Sequence, residues 1–367
     1  MKFIKMDELK PGMRLARPIY SKKGVLLYER ASVIKDTQAI QNIKGFGLLG
    51  LFILEPAEPV PPFSEEDMEF ERFQTMMSFE ITEELNHIRR TKKTERLNFI
   101  VAAIVKSYGN ETHKVNFFQS LRSMEDYIYK HSLNTAILAA IITHQMNVPL
   151  AVQNVAVTAA LVHDIGKLDV PQELMYKSEH SDEEQLAIHT YERAGFDLLK
   201  EAFISEPGIA RACQHSEQNL RLMERGDASI MEKMQPAARV LQVAGVFDKC
   251  TAVRMEETPM SELKVFRMML GEPEYYDENV VRALLNSVTI LTPGTSVELT
   301  NGKKALVLSQ NDDLMHPIVL CFDDNQIINL SDRHTYRDLD VADIMKTMDN
   351  RHVMDKDMLK SLGYTAD

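Results

Sequence analysis

The chain has 367 residues, a formal charge of −12 and three cysteines. That length suits two or three domains with a sizeable core, and the acidic balance argues against a generic nucleic-acid binder, whose surface would be basic. Cys213, Cys250 and Cys321 show no paired spacing, which argues against a disulfide framework and for a reducing cytoplasm.

Residues 1–55 read as a small α+β unit. Lys2, Lys5, Asp7 and Glu8 interrupt any apolar run, so no signal peptide is expected. Leu9 to Met13 forms a turn, Arg14 to Tyr20 an extended run, and Ser21 to Gly24 a second turn into Val25–Leu27. Asp36 is placed to cap a helix ending near Gly45, and Leu48 to Leu54 reads as a strand. The proline-rich stretch 56–64 cannot propagate a helix or a central strand and marks a domain boundary.

Residues 65–290 are helical in pattern. Apolar positions recur at three and four, as in Leu133, Ala136, Ile137, Ala140 and Ile141. About eight or more helices are expected, packed as a bundle, with most of the 21 methionines in its core. No run of about 18 uncharged apolar residues occurs, so no membrane span is expected. Residues 291–345 change period: Thr292-Pro293-Gly294 is a turn, and Ser296–Thr300 and Ala305–Ser309 flank Asn301-Gly302, a strong hairpin signal. Further short strands at Ile318–Phe322 and Ile327–Leu330 complete a small β-barrel-like appendage. From Val341 the chain reads as helical, running into a polar tail (346–367). The fold class is therefore mainly α, with small β-containing units at both ends.

The residues with metal chemistry lie in the helical region. His163-Asp164 closes the apolar run Val155 to Val162. A neutral imidazole and a carboxylate both ligate divalent metals when other helices supply further donors. Gly166 lets the chain turn, and Lys167 brings a cation beside the metal, a combination suited to a phosphate ester. His131, His189, His215 and His144 also sit in helical contexts and can point inward from the helices of a bundle, as bundle metal sites require. The histidines at 87, 113, 180, 316, 334 and 352 lie in polar contexts or outside the bundle and read as surface residues.

Residues 125–255 resemble the HD superfamily of metal-dependent phosphohydrolases, and more closely its HD-GYP branch, which hydrolyses cyclic di-GMP. The resemblance rests on Asp126–Ser132, on His163-Asp164-Ile165-Gly166-Lys167 with Val170-Pro171, and on His189–Gly195, Gln214–Glu217 and Val243–Asp248. It implies an HD-type helical bundle. Metal-bound hydroxide would attack a phosphodiester, and the metals would be one or two divalent ions held by His131, His163, Asp164, His189 and His215. One ion would use His131, His163 and Asp164; a second would use Asp164, His189 and His215. Asp164 would be catalytic as the bridging carboxylate. Lys167 would be catalytic and substrate-binding, contacting a phosphate as a point charge. Neutral histidines and a carboxylate suit Fe, Mn, Ni or Zn alike. The expected ligand is a small nucleotide, cyclic di-GMP first, with no nucleic-acid or membrane partner and a cytoplasmic location. The N-terminal unit and the helices after Ser64 can mediate homodimerisation.

Three departures open an alternative. The family's closing aspartate falls on Gly245, which has no ligand; Asp248 lies one turn on, displaced ~5 Å along the axis. Ser216 replaces a second histidine. The Gly-Tyr-Pro loop is absent from residues 218–235. The alternative function is a catalytically degenerate domain that acts as a nucleotide or metal sensor, or as a partner-binding module in bacterial signalling.

Overall fold

The computed structural model describes residues 2–21, 25–54, 64–177, 179–253, 259–332, 334 and 337–345. It is mainly helical, with small sheets at both ends. No helix among the described residues is long and apolar enough to cross a membrane.

The N-terminal unit contains β1 (Lys2–Lys5), β2 (Arg14–Leu15), β3 (Ile19–Tyr20), β4 (Leu26–Tyr28), α1 (Thr37–Lys44) and β5 (Gly50–Leu54). The extended run from Arg14 is thus split between β2 and β3. Gly12 takes φ +91° in the turn before β2, a conformation open to glycine at little cost. Asp36 caps α1, its carboxylate accepting from Ala39 N at 2.8 Å. Strand β5 lies between β1 and β2, antiparallel to both. Central placement explains why Gly50–Leu54 is buried throughout and reads as an unbroken apolar run. Most of the proline-rich stretch lies outside the described residues.

The helical domain holds α2 (Glu65–Thr91), α3 (Leu97–Tyr108), α4 (Tyr127–Gln145), α5 (Leu150–Val162), α6 (Gln172–Met175), α7 (Asp182–Ala202), α8 (Pro207–Met223), α9 (Pro236–Thr251), α10 (Glu262–Gly271) and α11 (Glu278–Ser287). Helix α2 starts with a reciprocal capping box between Ser64 and Asp67, which satisfies two otherwise orphaned backbone donors. Helix α4 is the centre. It packs against α2, α3, α5, α9 and α11 and is buried almost all round from His131 to Thr143. Ala136, Ala139 and Ala140 on α4 and Ala156, Ala159 and Ala160 on α5 are fully buried. Small side chains of this kind let two helix backbones approach closely.

The N-terminal unit docks on this domain. Arg17 Nη1 meets Glu71 Oε1 of α2 at 2.8 Å, and its guanidinium lies 3.7 Å from the Phe118 ring centroid. Ala16, Phe52 and Leu54 form a small apolar cluster with Leu121 and Val253.

The C-terminal unit is one antiparallel sheet in the order β10-β6-β7-β8-β9, built from β6 (Ser296–Leu299), β7 (Lys304–Ser309), β8 (Ile318–Cys321), β9 (Ile327–Asn329) and β10 (Val341–Ile344). The Asn301-Gly302 hairpin forms as expected, with Gly302 at φ +80°. Val341–Ile344 is a strand rather than helix, because pairing with β6 and burial of Val341 in the sheet's core override a weak local pattern. The polar tail lies outside the described residues. The sheet is fixed to α10, where Arg267 donates to Ala342 O at 3.2 Å.

Candidate metal centre

Two helices deliver the first donors. His131 sits in the first turns of α4 and points into the core, 7 % exposed. Helix α5 ends at Val162, and the chain tightens through His163 and Asp164 into a 3-10 turn, Ile165–Asp169. Gly166 serves this turn by close approach: a Cβ there would stand 2.5 Å from Tyr191 O. Its counterpart is Gly195 on α7, whose Cβ would lie 2.6 Å from Gly166 Cα. Two facing glycines press the His-Asp turn onto α7.

His131 Nε2 and His163 Nε2 stand 3.3 Å apart. Asp164 approaches them at 3.8 Å from His131 Nε2 and 3.5 Å from His163 Nε2. One donor atom from each of the three lies within 4.8 Å of the others, the only such group found among the described residues. The far ring nitrogens assign the tautomers. His163 Nδ1 donates to the Ala160 carbonyl at 2.8 Å, and His131 Nδ1 donates to Asp248 Oδ2 at 2.6 Å. With both rings neutral, as metal ligands must be, the two Nε2 atoms present lone pairs to each other beside a carboxylate. Two such lone pairs call for a shared cation, a proton or a metal ion, and an Nδ1–H bound to a carboxylate or carbonyl is how proteins orient metal-ligating histidines. Donors about 2.1 Å from one ion stand roughly 3.0–3.4 Å apart, close to the separations here. The residues present therefore fit a divalent ion.

The electrostatics agree. Burial lowers the His163 pKa, favouring the neutral ligand form. Burial alone would raise the Asp164 pKa, but His163 and Lys167 reverse this and hold its carboxyl well below the usual range. Burial works against charge on Lys167 as well, yet Asp164, Glu217 and Glu192 keep its ammonium protonated, with the pKa raised. Lys167 Nζ lies 2.8 Å from Asp164 Oδ1 and 3.6 Å from Glu192 Oε1.

His189 and His215 stand outside the three-residue group. His189 Nδ1 pairs with Glu192 Oε2 at 3.0 Å on its own helix, with a side chain 40 % exposed. Arg221 of α8 grips the same Glu192 oxygen and reaches Glu217 Oε1 at 3.0 Å. His215 is half-buried on α8; its Nδ1 is buried without a hydrogen-bond partner, and burial followed by Arg211 lowers its pKa. His144, at the far end of α4, is also outside the group.

Asp248 has a role that spacing alone did not reveal. It is completely buried, with both carboxylate oxygens on Arg122 Nη2 at 2.6 and 2.8 Å. Asn134 Nδ2 donates to its Oδ1 at 2.9 Å. Arg122, Asn134 and His131 Nδ1 occupy both its oxygens, on the far side of the His131 ring from Nε2, so it orients His131 rather than standing in for the ligand missing at Gly245. The signal was available: Asp248 follows the apolar run Val243–Phe247 on the buried side of α9, where a carboxylate requires partners.

Residues 111–280 match the family model described as HD domain. A cyclic di-GMP phosphodiesterase of Pseudomonas aeruginosa is 26% identical over 204 residues, covering 55% of this chain and 49% of that protein. The chain thus spans about half the length of the curated relative it matches. The His-Asp pair at the end of α5, the inward histidine of α4 and the family match together identify residues 111–280 as an HD domain.

Proposed function

We propose that this protein is a metal-dependent phosphodiesterase of the HD-GYP branch, acting on cyclic di-GMP or a related cyclic dinucleotide. The observation that carries the reading is the pair of Nε2 atoms 3.3 Å apart beside Asp164. His131, His163 and Asp164 would hold the ion. Three protein ligands leave positions open, which is a catalytic rather than a structural count. A divalent ion there would supply a Lewis acid for phosphoryl oxygens and lower the pKa of a water nucleophile. Lys167 supplies a fixed positive charge beside Asp164, suited to a phosphate oxygen. Glu192 and Arg221 hold Lys167 and α8 in register. His189 and His215, on the adjoining helices, would serve a second ion only by turning toward Asp164.

A second reading is favoured by Gly245 and by the position of His189 and His215. A single three-ligand site without its closing aspartate suits a metal- or nucleotide-sensing module.

The test is hydrolysis of cyclic di-GMP by protein purified without oxygen and supplied with Mn or Fe, with Asp164→Ala alongside. Linear product that vanishes in the variant supports the phosphodiesterase. Bound metal and bound nucleotide without turnover support the sensing module.

A further inference from the structure

Residues 119–126 lie between the N-terminal unit and the candidate metal centre, and Arg122 touches both. Its carbonyl accepts from Leu49 N at 3.0 Å, and Ser123 bridges to Leu48 in the same stretch. Leu121 packs against both apolar clusters of the N-terminal unit. The Arg122 side chain runs the other way, 2 % exposed, onto both oxygens of Asp248. Asp248 in turn fixes His131 Nδ1. One residue therefore joins the backbone of the N-terminal unit to the group that orients a metal donor.

The joint is not a continuous packed core. Arg122 Nε and Nη1 are buried without hydrogen-bond partners. The guanidinium is steadied by Asp248, by Gln119 Oε1 at 2.7 Å and by the Tyr127 ring at 4.9 Å. Its position thus depends on where the backbone places it. A cavity of about 560 Å³ opens at the joint, lined by Leu49, Met124 and Gln172 among others, so it touches the unit, the 119–126 segment and the helix after the His-Asp turn. Across the docking contact, Glu71 Oε2 is also buried and unpartnered.

We propose that the N-terminal unit is an input element for the metal centre, and that Arg122 is the positioning residue through which docking of residues 2–54 sets the orientation of His131. This rests on the metal-centre reading above. When the unit is docked, Leu49 holds the Arg122 backbone, the guanidinium holds Asp248, and the His131 Nε2 lone pair faces His163. When it is displaced, that chain is released at its first link, and the donor set loses order before any ligand residue is changed.

The experiment uses the full chain and residues remote from the donors. Arg17→Glu places a second carboxylate against Glu71 and undocks the unit, Arg17→Glu with Glu71→Arg restores an ion pair, and Leu49→Pro removes the single N–H that reaches Arg122. Two readouts are taken: Mn(II) affinity from the free-ion paramagnetic resonance signal, and the His131 Nδ1–H proton resonance in metal-free protein. Helicity is followed by circular dichroism. With helicity retained, both single variants weaken Mn(II) binding about tenfold or more, the scale of lost outer-sphere support, and shift the His131 resonance. The double variant returns both toward wild type. Unchanged affinity and resonance in both single variants overturn the proposal. A shifted resonance in a chain that never binds Mn(II) keeps the coupling and overturns the metal reading instead.

Discussion

His131 Nδ1 lies 2.6 Å from Asp248 Oδ2, and this bond decides which His131 nitrogen can ligate. The carboxylate fixes the proton on Nδ1 and leaves Nε2 free toward His163. Asp248 is fully buried, and although burial alone would raise its pKa, Arg122 and His131 hold it well below the usual range. It is therefore an anion that the fold has fully compensated.

Asp248→Asn keeps the shape and removes the charge. Arg122 then loses its buried partner, a change that costs about 3–5 kcal/mol when one member of a buried pair is removed. Mn(II) affinity is expected to fall about 10- to 100-fold. Urea unfolding and metal titration of the same samples measure both effects; loss of stability with unchanged affinity would show that Asp248 is structural only.

Gly245 is one turn from Asp248 on α9, and a Cβ added there meets only Thr135 Cγ2 at 3.8 Å. Thr135 is one turn beyond His131 on α4, and its Oγ1 is buried without a partner. The Cβ of a Gly245→Asp variant thus fits without a clash and faces α4. Gly245→Ala serves as the control, stabilising by about 0.5–1 kcal/mol from helix propensity. Metal occupancy should rise in the Asp variant and stay flat in the Ala variant. Equal occupancy in the two would mean that position 245 does not face the donors.

Lys167 neutralises Asp164 and approaches Glu192. Lys167→Met leaves two buried carboxylates without that cation, and a loss of about 3 kcal/mol is expected in metal-free protein. Saturating Mn(II) should recover much of it, because an ion at Asp164 replaces the missing charge and stabilises by mass action. Thermal unfolding with and without Mn(II) checks this; an equal loss in both conditions would place Lys167 in the packing alone.

The legible parts of this chain were those encoded locally. Asp36, Asn301-Gly302 and the apolar spacing of α4 act within a few residues, and the structure agrees with each. His163 and Asp164 were expected from the HD-type string and His131 from the separate stretch Asp126–Ser132, and the fold brings the three together. What depended on partners distant in sequence was not. Arg122 and Asp248 are 126 residues apart, and neither has a spacing signal. Gly166 reads as a turn residue, whereas its reason is the close approach of Gly195 on another helix. Val341–Ile344 reads as helix because its pairing partner, β6, lies some forty residues earlier.

Glu184 provides a pH prediction for the helix that carries Glu192. It is the third residue of α7, in a reciprocal capping box with Ser181, and both its oxygens meet Lys177 Nζ at 2.7 Å. Lys177 and the Ser181 backbone pull its pKa down from 4.5 to about 2. A carboxylate depressed by folding stabilises the folded form above its ordinary pKa, and the benefit is lost as pH falls toward the folded value. The first turn of α7 should therefore lose hydrogen-exchange protection between about pH 4.5 and pH 2, beyond any loss elsewhere in the helix. Glu184→Gln keeps a capping side chain but has no charge to titrate. Its protection in that turn should be lower than wild type at pH 6 and less sensitive to acid below it. Protection factors for Glu184 and Gln185 across this range decide the matter. Parallel acid curves for wild type and variant would remove Glu184 as the titrating group.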